Sequence, residues 1–122
     1  MDKGTKQFSE EEQIRYSRHF VLPRFGPDAQ LKLKKASVAV IGAGGLGSPV
    51  LLYLAAAGIG FIKIIDNDLV SLSNLQRQIL FSMDDLNKSK AEIAASRITR
   101  LNPMIKIKAI RERIESANAL KL

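Results

Sequence analysis

The chain has 122 residues, which is the size of one small domain. Hydrophobic residues make up 46% of it, and no apolar run reaches the roughly 18 residues that suggest a membrane span. The polar N-terminus has no apolar signal-peptide core, so we expect a cytoplasmic protein without a membrane partner. Cysteine is absent, which excludes disulfides, thiolate zinc sites and a cysteine nucleophile within these residues.

The net charge of +7 favours an anionic partner, either a phosphate-bearing ligand or a nucleic acid. Solvated lysine and arginine side chains on helix faces would explain the same charge. We do not expect nucleic-acid binding, because aromatic residues make up only 6% of the chain and no recognition motif is present.

Residues 1–36 are predicted to form an N-terminal helical segment. The stretch FSEEEQIRYSRHF predicts a helix, with Ser9 as its N-cap and Glu12 completing a capping box. Two prolines and a glycine within residues 22–28 end this helix. The stretch AQLKLKKA (29–36) predicts a second, short helix.

A strand, a glycine-rich turn, a helix and a second strand come next. The run SVAVIG (37–42) predicts a buried strand, and FIKIID (61–66) predicts another. Between them, LGSPVLLYLAAAGIG predicts an apolar helix with Pro49 in its first turn, ended by Gly58 or Gly60. This order is a βαβ unit, which has a right-handed crossover.

The rest of the chain predicts a long connection, a helix and a third strand. The connection 67–87 has no sustained period, but its apolar residues argue against disorder. The stretch KSKAEIAASRITRLNP predicts a helix with one mostly apolar stripe, formed by Ile93, Ala94, Arg97, Ile98 and Leu101. Strict alternation in MIKIKAI (104–110) predicts a strand near the sheet edge, with Lys106 and Lys108 on its wet face. Residues 111–122 are predicted to start a further element.

These elements predict an α/β fold in which a Rossmann-like parallel sheet with flanking helices follows the N-terminal helical segment. Residues 37–122 would form the nucleotide-binding half domain. A doubly wound sheet normally has five or six strands, and three are predicted here. We therefore expect an incomplete sheet and a truncated half domain, with an open strand edge that invites self-association.

The turn after the first strand has the spacing Gly42-x-Gly44-x-x-Gly47, which is typical of nucleotide-binding loops. One glycine permits the tight turn, one lets the backbone approach a phosphate, and one allows close packing of helix and strand. The next helix points its N–H groups and dipole at the anion. Asp66 ends the second strand, where a carboxylate can accept hydrogen bonds from ribose hydroxyls. These features fit NAD as well as ATP, so an NAD-dependent oxidoreductase domain stays open as the alternative.

The segment after Asp66 favours ATP. It contains a second carboxylate and a cluster of polar and basic side chains, namely Asp68, Ser73, Asn74, Gln76, Arg77, Lys88 and Lys90. A helix N-terminus largely neutralises the pyrophosphate of NAD, whereas a triphosphate carries about four negative charges and needs further positive groups. Additional arginine and lysine side chains near the loop suit the larger charge.

At this point the chain resembles a known family. The stretches IGAGGLGSP, IIDNDLVSLSNLQRQILF and NKSKAEIAASRITRLNP, in this order, resemble the MoeB/ThiF/HesA proteins and the adenylation half of ubiquitin-activating enzymes. The opening FSEEEQIRYSRHFVLPRFG resembles the first helix of the same family. The resemblance covers nearly all of residues 8–110.

The resemblance implies an ATP-dependent adenylyltransferase that acts on the C-terminal carboxylate of a ubiquitin-like sulfur-carrier protein, as in the molybdopterin or thiamine pathways. The carboxylate attacks the α-phosphate of ATP, an acyl-adenylate forms and pyrophosphate leaves. Such a step needs positioning and charge neutralisation rather than covalent help. The resemblance also implies Mg²⁺, with its main aspartate ligand beyond Leu122, and zinc in the C-terminal part of the family. We expect the 122 residues alone to bind ATP weakly and to lack adenylation activity.

The resemblance assigns roles to single residues. Gly45 packs its backbone on the nucleotide, and Asp66 holds the ribose hydroxyls. Asn74 places a phosphate oxygen or the leaving group, while Arg77 and Lys90 neutralise the triphosphate. The remaining members of the nucleotide-binding set are Gly42, Gly44, Gly47, Asp68, Ser73, Leu75 and Gln76.

Arg18 matches an arginine that, in this family, reaches the triphosphate of the neighbouring subunit. This match implies a homodimer with catalytic sites shared across the interface. Arg18 could equally be a solvated helix residue, and Arg77 could pair with Asp84 or Asp85 instead of a phosphate.

The other assignments also have structural alternatives. Asp66 could cap the turn after its strand, and Asn74 and Gln76 could hold the long connection together. Asp68 could help to hold magnesium or stabilise the loop, and the single histidine, His19, fits a packed or surface residue better than a catalyst. A non-catalytic interaction module that keeps the fold is a third hypothesis for the whole chain.

Overall fold

A computed structural model describes residues 3–122, in which three strands and the helices around them form an α/β fold. The elements in chain order are α1 (Glu10–Arg15), α2 (Ser17–Phe20), α3 (Gly26–Lys35), β1 (Ser37–Ile41), α4 (Gly47–Ala57), β2 (Phe61–Ile65), α5 (Lys90–Leu101) and β3 (Lys106–Ile110). All strand pairs are parallel, and the sheet order is β1-β2-β3. The prediction of an open, Rossmann-like parallel sheet is confirmed.

The core forms where α4 and α5 cover the middle of the sheet. Ile62 and Ile64 of β2 are fully buried and belong to one apolar cluster with Leu51 of α4 and Ile98 of α5. In β1, by contrast, no residue is buried and Ile41 is 60% exposed, so the prediction of a buried strand was wrong there. Strand β2 is therefore the buried strand of the sheet, and the outer edge of β1 has no strand partner among residues 3–122.

Strand β3 lies at the other edge of the sheet, next to β2. Lys106 and Lys108 are exposed, whereas Ile110 is buried. The alternating pattern thus predicted both the strand and its edge position correctly, because lysines on a wet face suit an edge strand.

The N-terminal helix begins as predicted and ends early. Glu12 N–H donates to Ser9 Oγ at 3.1 Å and Ser9 N–H donates to Glu12 Oε1 at 3.0 Å, which confirms the capping box. The helix then breaks at Tyr16, so the expected single helix is two helices. Tyr16 is 3% exposed, and its hydroxyl accepts a hydrogen bond from Asn102 Nδ2 at 2.8 Å. The break thus occurs at a residue that is held by a contact with a distant part of the chain.

Helices α3 and α4 differ from the predictions only at their ends. Helix α3 begins at Gly26 rather than Ala29, because a proline in the first turn is tolerated there. Helix α4 ends at the left-handed residue Gly58, with φ of 91°, which settles the choice between Gly58 and Gly60. The proposed boundary between residues 1–36 and 37–122 stays a prediction.

The buried face of α5 differs from the predicted stripe. Ala91, Ala94 and Ile98 are fully buried, whereas Leu101 is 40% exposed. Arg97, expected within the stripe, instead donates to Asp85 of the connection at 2.8 Å. The buried face of α5 therefore includes Ala91, which was not predicted, and excludes Arg97 and Leu101.

The connection between β2 and α5 is ordered by short 3-10 turns, Leu72–Asn74 and Met83–Asp85, and it buries Val70, Leu80 and Phe81.

The stretch after β3 forms turns and contains neither helix nor strand, so the prediction of a further element there was wrong. In that stretch the Asn118 side chain bonds to the backbone of Glu115 and Arg113, which competes with a helix. Among residues 3–122, no helix is long and apolar enough to cross a membrane.

Candidate functional site

The glycine-rich loop joins the carboxyl end of β1 to the start of α4. Gly42 has φ of 91°, a conformation that suits glycine, and makes the turn out of the strand. A Cβ atom at Gly47 would collide with the carbonyl oxygen of Gly42, so the first turn of α4 can lie against the strand end only without a side chain. These two glycines therefore have the structural roles that the spacing predicted.

The loop presents free hydrogen-bond donors. No hydrogen bond among residues 3–122 uses the N–H groups of Gly44, Gly45 or Leu46, which directly precede α4. Unpaired N–H groups and the helix dipole together favour an anion at this position. The loop can therefore bind a phosphate without any rearrangement of its backbone hydrogen bonds.

Asp66 connects this loop to the end of β2. Its Oδ2 accepts a hydrogen bond from Ala43 N–H at 2.8 Å, and its Oδ1 accepts one from Asp68 N–H at 2.8 Å. Asp66 thus caps the turn, as the structural alternative expected. A carboxylate oxygen can accept more than one hydrogen bond, so this role leaves acceptor capacity for a ribose hydroxyl.

The turn that follows Ser71 is held together by its own side chains. Asn74 Oδ1 accepts from Ser71 N–H at 2.9 Å and from Ser71 Oγ at 3.0 Å, which closes the turn. The Nδ2 group of Asn74 has no hydrogen-bond partner within the described part of the chain. Leu75 is half-buried and packs against the core, while Gln76 is exposed.

Arg77 lies across the loop. A Cβ atom at Gly45 would lie 3.5 Å from Arg77 Cδ and 3.6 Å from Nε, so the side chain passes directly over this glycine. The Nη1 group donates to Ser73 O at 3.1 Å, which orients the guanidinium. Asp85 is paired with Arg97 at 2.8 Å, and no ion pair in residues 3–122 joins Arg77 to an aspartate. The structure therefore brings Arg77 next to Gly45 and removes the ion-pair alternative, while the roles predicted for both residues toward a nucleotide stay predictions.

Lys90 is a buried lysine near the carboxyl ends of the strands. It follows Ser89, the N-cap of α5, and its side chain is 7% exposed. Its Nζ lies 3.9 Å from Asp68 Oδ2 and has no hydrogen bond within the described residues, while its N–H donates to Asp68 O at 3.1 Å. A buried ammonium with one distant carboxylate is poorly compensated, which favours a further anionic partner. Lys88, by contrast, is exposed.

A cavity of about 270 Å³ opens at the carboxyl ends of the strands, lined by residues 41–42, 65–68 and 112–114. Sequence reasoning named Gly42, Asp66 and Asp68 here but missed Glu112, Arg113 and Ile114. The available signal was their position directly after β3, because the carboxyl ends of parallel strands meet at one edge of the sheet.

Sequence reasoning also missed Gln78, which is 4% exposed. Its Nε2 would lie 3.7 Å from a Cβ atom at Gly44, and its Oε1 is buried without a hydrogen-bond partner. The loop glycines Gly44 and Gly45 are thus each covered by one side chain from a single turn of the connection.

Arg18 is not part of this group. It is exposed on α2, and its side chain has no hydrogen bond or ion pair to any residue in the described range. Within the same range, no group of three or more His, Cys, Asp or Glu residues could hold a metal ion. The predicted site residues therefore divide into a set near the loop and the carboxyl ends of the strands, and Arg18 on the N-terminal helical segment.

Comparisons with known proteins show similarity in sequence and in fold. The chain is 46% identical over 116 residues to the sulfur carrier protein adenylyltransferase of Thermus thermophilus, which covers 95% of this chain and 43% of that protein. It is 46% identical over 108 residues to the sulfur carrier protein ThiS adenylyltransferase of Escherichia coli, which covers 88% of this chain and 43% of the relative. The crystal structure of the E. coli tRNA N6-threonylcarbamoyladenosine dehydratase in complex with ATP superposes with a TM-score of 0.87 at 32% identity, covering 93% of this chain and 46% of that one.

The chain spans 27% to 43% of the length of the curated relatives that it matches. The model of the ThiF family matches residues 16–122, which include every element from α2 to β3. The sequence resemblance, the parallel sheet and this match lead to one conclusion: the chain belongs to the ThiF family.

Proposed function

We propose that this chain is the ATP-binding part of an adenylyltransferase that activates the C-terminal carboxylate of a ubiquitin-like sulfur-carrier protein. A carboxylate oxygen forms a bond to the α-phosphorus of ATP, the bond from that phosphorus to the bridging oxygen breaks, and pyrophosphate leaves. The observation that carries the proposal is the row of unpaired N–H groups at Gly44, Gly45 and Leu46, with the Arg77 side chain against Gly45. Relatives that are named sulfur carrier protein adenylyltransferases support it.

The residues around the loop fit a nucleotide triphosphate. The N–H groups of the loop would bind phosphate oxygens, and Asp66 would accept from the ribose hydroxyls while it holds Ala43. Arg77 and Lys90 would neutralise charge that develops on the phosphates. Arg77 lies against Gly45 of the loop, Lys90 lies next to Asp68, and neither has a close carboxylate partner. Asn74 would donate through Nδ2 to a phosphate or leaving-group oxygen.

Magnesium would accompany the triphosphate and help to neutralise it. Asp68 is the exposed carboxylate near Lys90, and Asp66 is engaged with backbone N–H groups. The main magnesium ligand and the zinc site of the family stay predictions from the sequence resemblance, as does the cytoplasmic location.

A homodimer is the proposed assembly. Arg18 is exposed on the same N-terminal segment as two apolar side chains, Ile14 and Val21, which are each 77% exposed. A cavity of about 450 Å³ lies on the same segment, lined by Glu10, Gln13, Ile14 and Ser17. A second copy seated on this surface would cover the apolar side chains and would place Arg18 near the partner's nucleotide. Analytical ultracentrifugation tests this arrangement. We expect Ile14→Asp to sediment as a monomer, because it places a charge in the apolar contact, and Arg18→Ala to stay a dimer, because Arg18 would act at the nucleotide.

The experiment that tests the function is a calorimetric titration of the chain with ATP and with NADH. We expect ATP to bind more tightly than NADH and to lose affinity in Arg77→Ala. The matched control is Arg100→Ala, an exposed arginine on α5 without a contact to the loop. Tighter binding of NADH that is unaffected by Arg77→Ala would contradict the proposal, although the oxidoreductase alternative has no support among the relatives named above.

The third hypothesis, a non-catalytic module, predicts no rise in melting temperature with either nucleotide. We expect ATP to raise the melting temperature, because a ligand that binds the folded state stabilises it by mass action. We also expect the 122 residues to lack pyrophosphate exchange when a carrier protein is supplied. Exchange by the chain alone would contradict this part of the proposal.

A further inference from the structure

Two buried amide side chains hold the carboxyl end of α4. Asn102 Nδ2 donates to Ala55 O at 2.8 Å, and Gln30 Nε2 donates to Ala57 O at 2.8 Å. Asn102 and Gln30 are both fully buried. The last carbonyl groups of a helix lack partners within the helix, so side chains from other elements can satisfy them. The carboxyl end of α4 is therefore bound to α3 and to the end of α5.

The first helices of the chain hold the same two amides from the other side. The Tyr16 hydroxyl accepts from Asn102 Nδ2 at 2.8 Å. His19 Nδ1 lies 2.8 Å from Gln30 Oε1, and because a carbonyl oxygen only accepts, His19 Nδ1 carries the proton and donates it. Each contact continues through its amide to a carbonyl group of α4, so two side-chain relays join the first helices to this helix end.

The N-terminal helical segment lies directly on the carboxyl end of α4. A Cβ atom at Gly58, which ends α4, would lie 2.7 Å from Gln30 Nε2 and 2.7 Å from the Tyr16 hydroxyl oxygen. The His19 ring is stacked with Tyr16 at 6.1 Å between centroids and meets Phe25 edge-on at 5.6 Å. These contacts fix the position of α2 relative to α4.

Helix α2 depends on these contacts for its geometry. It has four residues, Ser17–Phe20, and no side-chain cap, and an isolated helix of this length is not stable in water. Arg18 is exposed on this helix, between Tyr16 and His19, and each of these neighbours is held by one relay. The relays therefore set the direction in which the Arg18 side chain leaves the backbone.

We propose that His19 is a positioning residue for Arg18: through Gln30 it fixes α2 on the carboxyl end of α4 and so holds Arg18 where it can reach the triphosphate bound by a second copy of the chain. This inference rests on the proposed function and its homodimer, and it adds a residue that itself contacts no nucleotide. Tyr16 is 3% exposed, whereas His19 is half-buried, so the contact of His19 can be removed without opening the core.

The test measures the affinities for ATP and for AMP by calorimetry, together with the melting temperature, in His19→Phe, in Arg18→Ala and in the double variant. His19→Phe keeps an aromatic ring in place and removes the donor to Gln30. We expect Arg18→Ala to lower the ATP affinity by about tenfold, as for the loss of a hydrogen bond to an anion. We expect His19→Phe to lose a large part of the same factor. Both variants should keep their affinity for AMP, which lacks the β- and γ-phosphates.

The double variant separates positioning from a structural role. If His19 acts through Arg18, the two changes are not additive, and the double variant binds ATP about as weakly as Arg18→Ala alone. His19→Asn keeps a donor near the position of Nδ1 and should restore most of the ATP affinity. His19→Ala, in which water can reach the amide of Gln30, should show the same loss as His19→Phe and replaces it if that variant does not fold.

A lower melting temperature in His19→Phe with an unchanged ATP affinity would make His19 a structural residue and overturn the inference. Losses of ATP affinity that add in full in the double variant, or an equal loss of AMP affinity, would overturn it as well. An unchanged ATP affinity in Arg18→Ala, with weakened binding in Arg77→Ala, would overturn this inference and leave the ATP site of the proposed function intact. If the unaltered chain does not bind ATP at millimolar concentration, the proposed function and this inference both fail.

Discussion

The carboxylate of Asp66, at the end of β2, accepts a hydrogen bond from Ala43 N–H in the glycine-rich loop at 2.8 Å. This contact joins two strand ends and sets the loop against the sheet. The same carboxylate accepts from Asp68 N–H at 2.8 Å and so fixes the start of the connection that carries Arg77. One side chain thus positions both walls of the proposed phosphate site.

Replacement of Asp66 by alanine should weaken the fold and the site together. Two backbone N–H groups lose a charged acceptor, which costs about 1.5–3 kcal/mol per hydrogen bond to a charged group, less where water replaces the acceptor. We expect a lower free energy of unfolding in urea and weaker ATP binding. An Asp66→Ala chain as stable as the unaltered one would show that the contact to Ala43 does not hold the loop.

The loop glycines should differ in their tolerance to alanine. A Cβ atom at Gly47 would collide with the carbonyl oxygen of Gly42, whereas at Gly45 it would meet Arg77 Cδ at an ordinary 3.5 Å. We expect Gly47→Ala to lower the free energy of unfolding by about 1–3 kcal/mol or more, as overpacking does. Gly45→Ala serves as the matched control and should stay close to the unaltered chain in urea unfolding. Equal losses in the two variants would contradict the assigned packing of α4 on β1.

Arg77 and Lys90 should contribute to ATP affinity separately. Each change to alanine removes a charge-assisted interaction with phosphate, worth on the order of 1.5–3 kcal/mol. Calorimetry with ATP measures both, and Lys88→Ala is the control for Lys90, because Lys88 is exposed two residues earlier. If neither Arg77→Ala nor Lys90→Ala weakens ATP binding, the assignment of these residues to the phosphates is wrong.

The stability of the chain should fall in acid partly through Asp85. Burial raises the pKa of Asp85, but hydrogen bonds from Ser82 and the charge of Arg97 outweigh it, so the pKa lies below the usual value. A carboxyl group with a lowered pKa stabilises the fold above its unfolded pKa of about 3.9. This stabilisation is lost as the pH falls through the lower folded value.

We therefore expect the free energy of unfolding in urea to decrease below about pH 4, and to decrease less in Asp85→Asn. Asp84→Asn makes the same change of charge at an exposed neighbour and should keep the pH dependence of the unaltered chain. An Asp85→Asn curve parallel to that of the unaltered chain would show that the contact with Arg97 does not stabilise the charged carboxyl.

The elements that sequence reasoning predicted well depend on local patterns. The βαβ unit follows from a β-branched run, the glycine spacing and Pro49, and the edge strand follows from strict alternation around Lys106 and Lys108. The break at Tyr16 could not be predicted in this way, because its contact with Asn102 spans 86 positions of the chain. The predicted stripe of α5 followed helical spacing and included Arg97, whose pairing with Asp85, 12 positions earlier, the spacing could not show.

Sequence reasoning named the site residues whose charge or side-chain chemistry suggests a role. It missed residues that are distinguished only by how they pack in the fold. Arg77 and Asp66 were named from their charge and spacing, and the structure places both at the loop. Gln76 and Gln78 have the same side chain two positions apart in an irregular segment. Without a helical or strand period, nothing in the sequence shows that Gln78 is buried and Gln76 exposed.

The most direct measurement is an ATP titration of the ¹⁵N-labelled chain, followed by the amide N–H resonances of the loop. The account predicts that the signals of Gly44, Gly45 and Leu46 shift most and saturate together. It also predicts that NADH shifts them only at higher concentration and that Arg77→Ala weakens the response to ATP. Saturation of these signals by NADH before ATP, or an ATP response confined to other parts of the chain, would contradict the account.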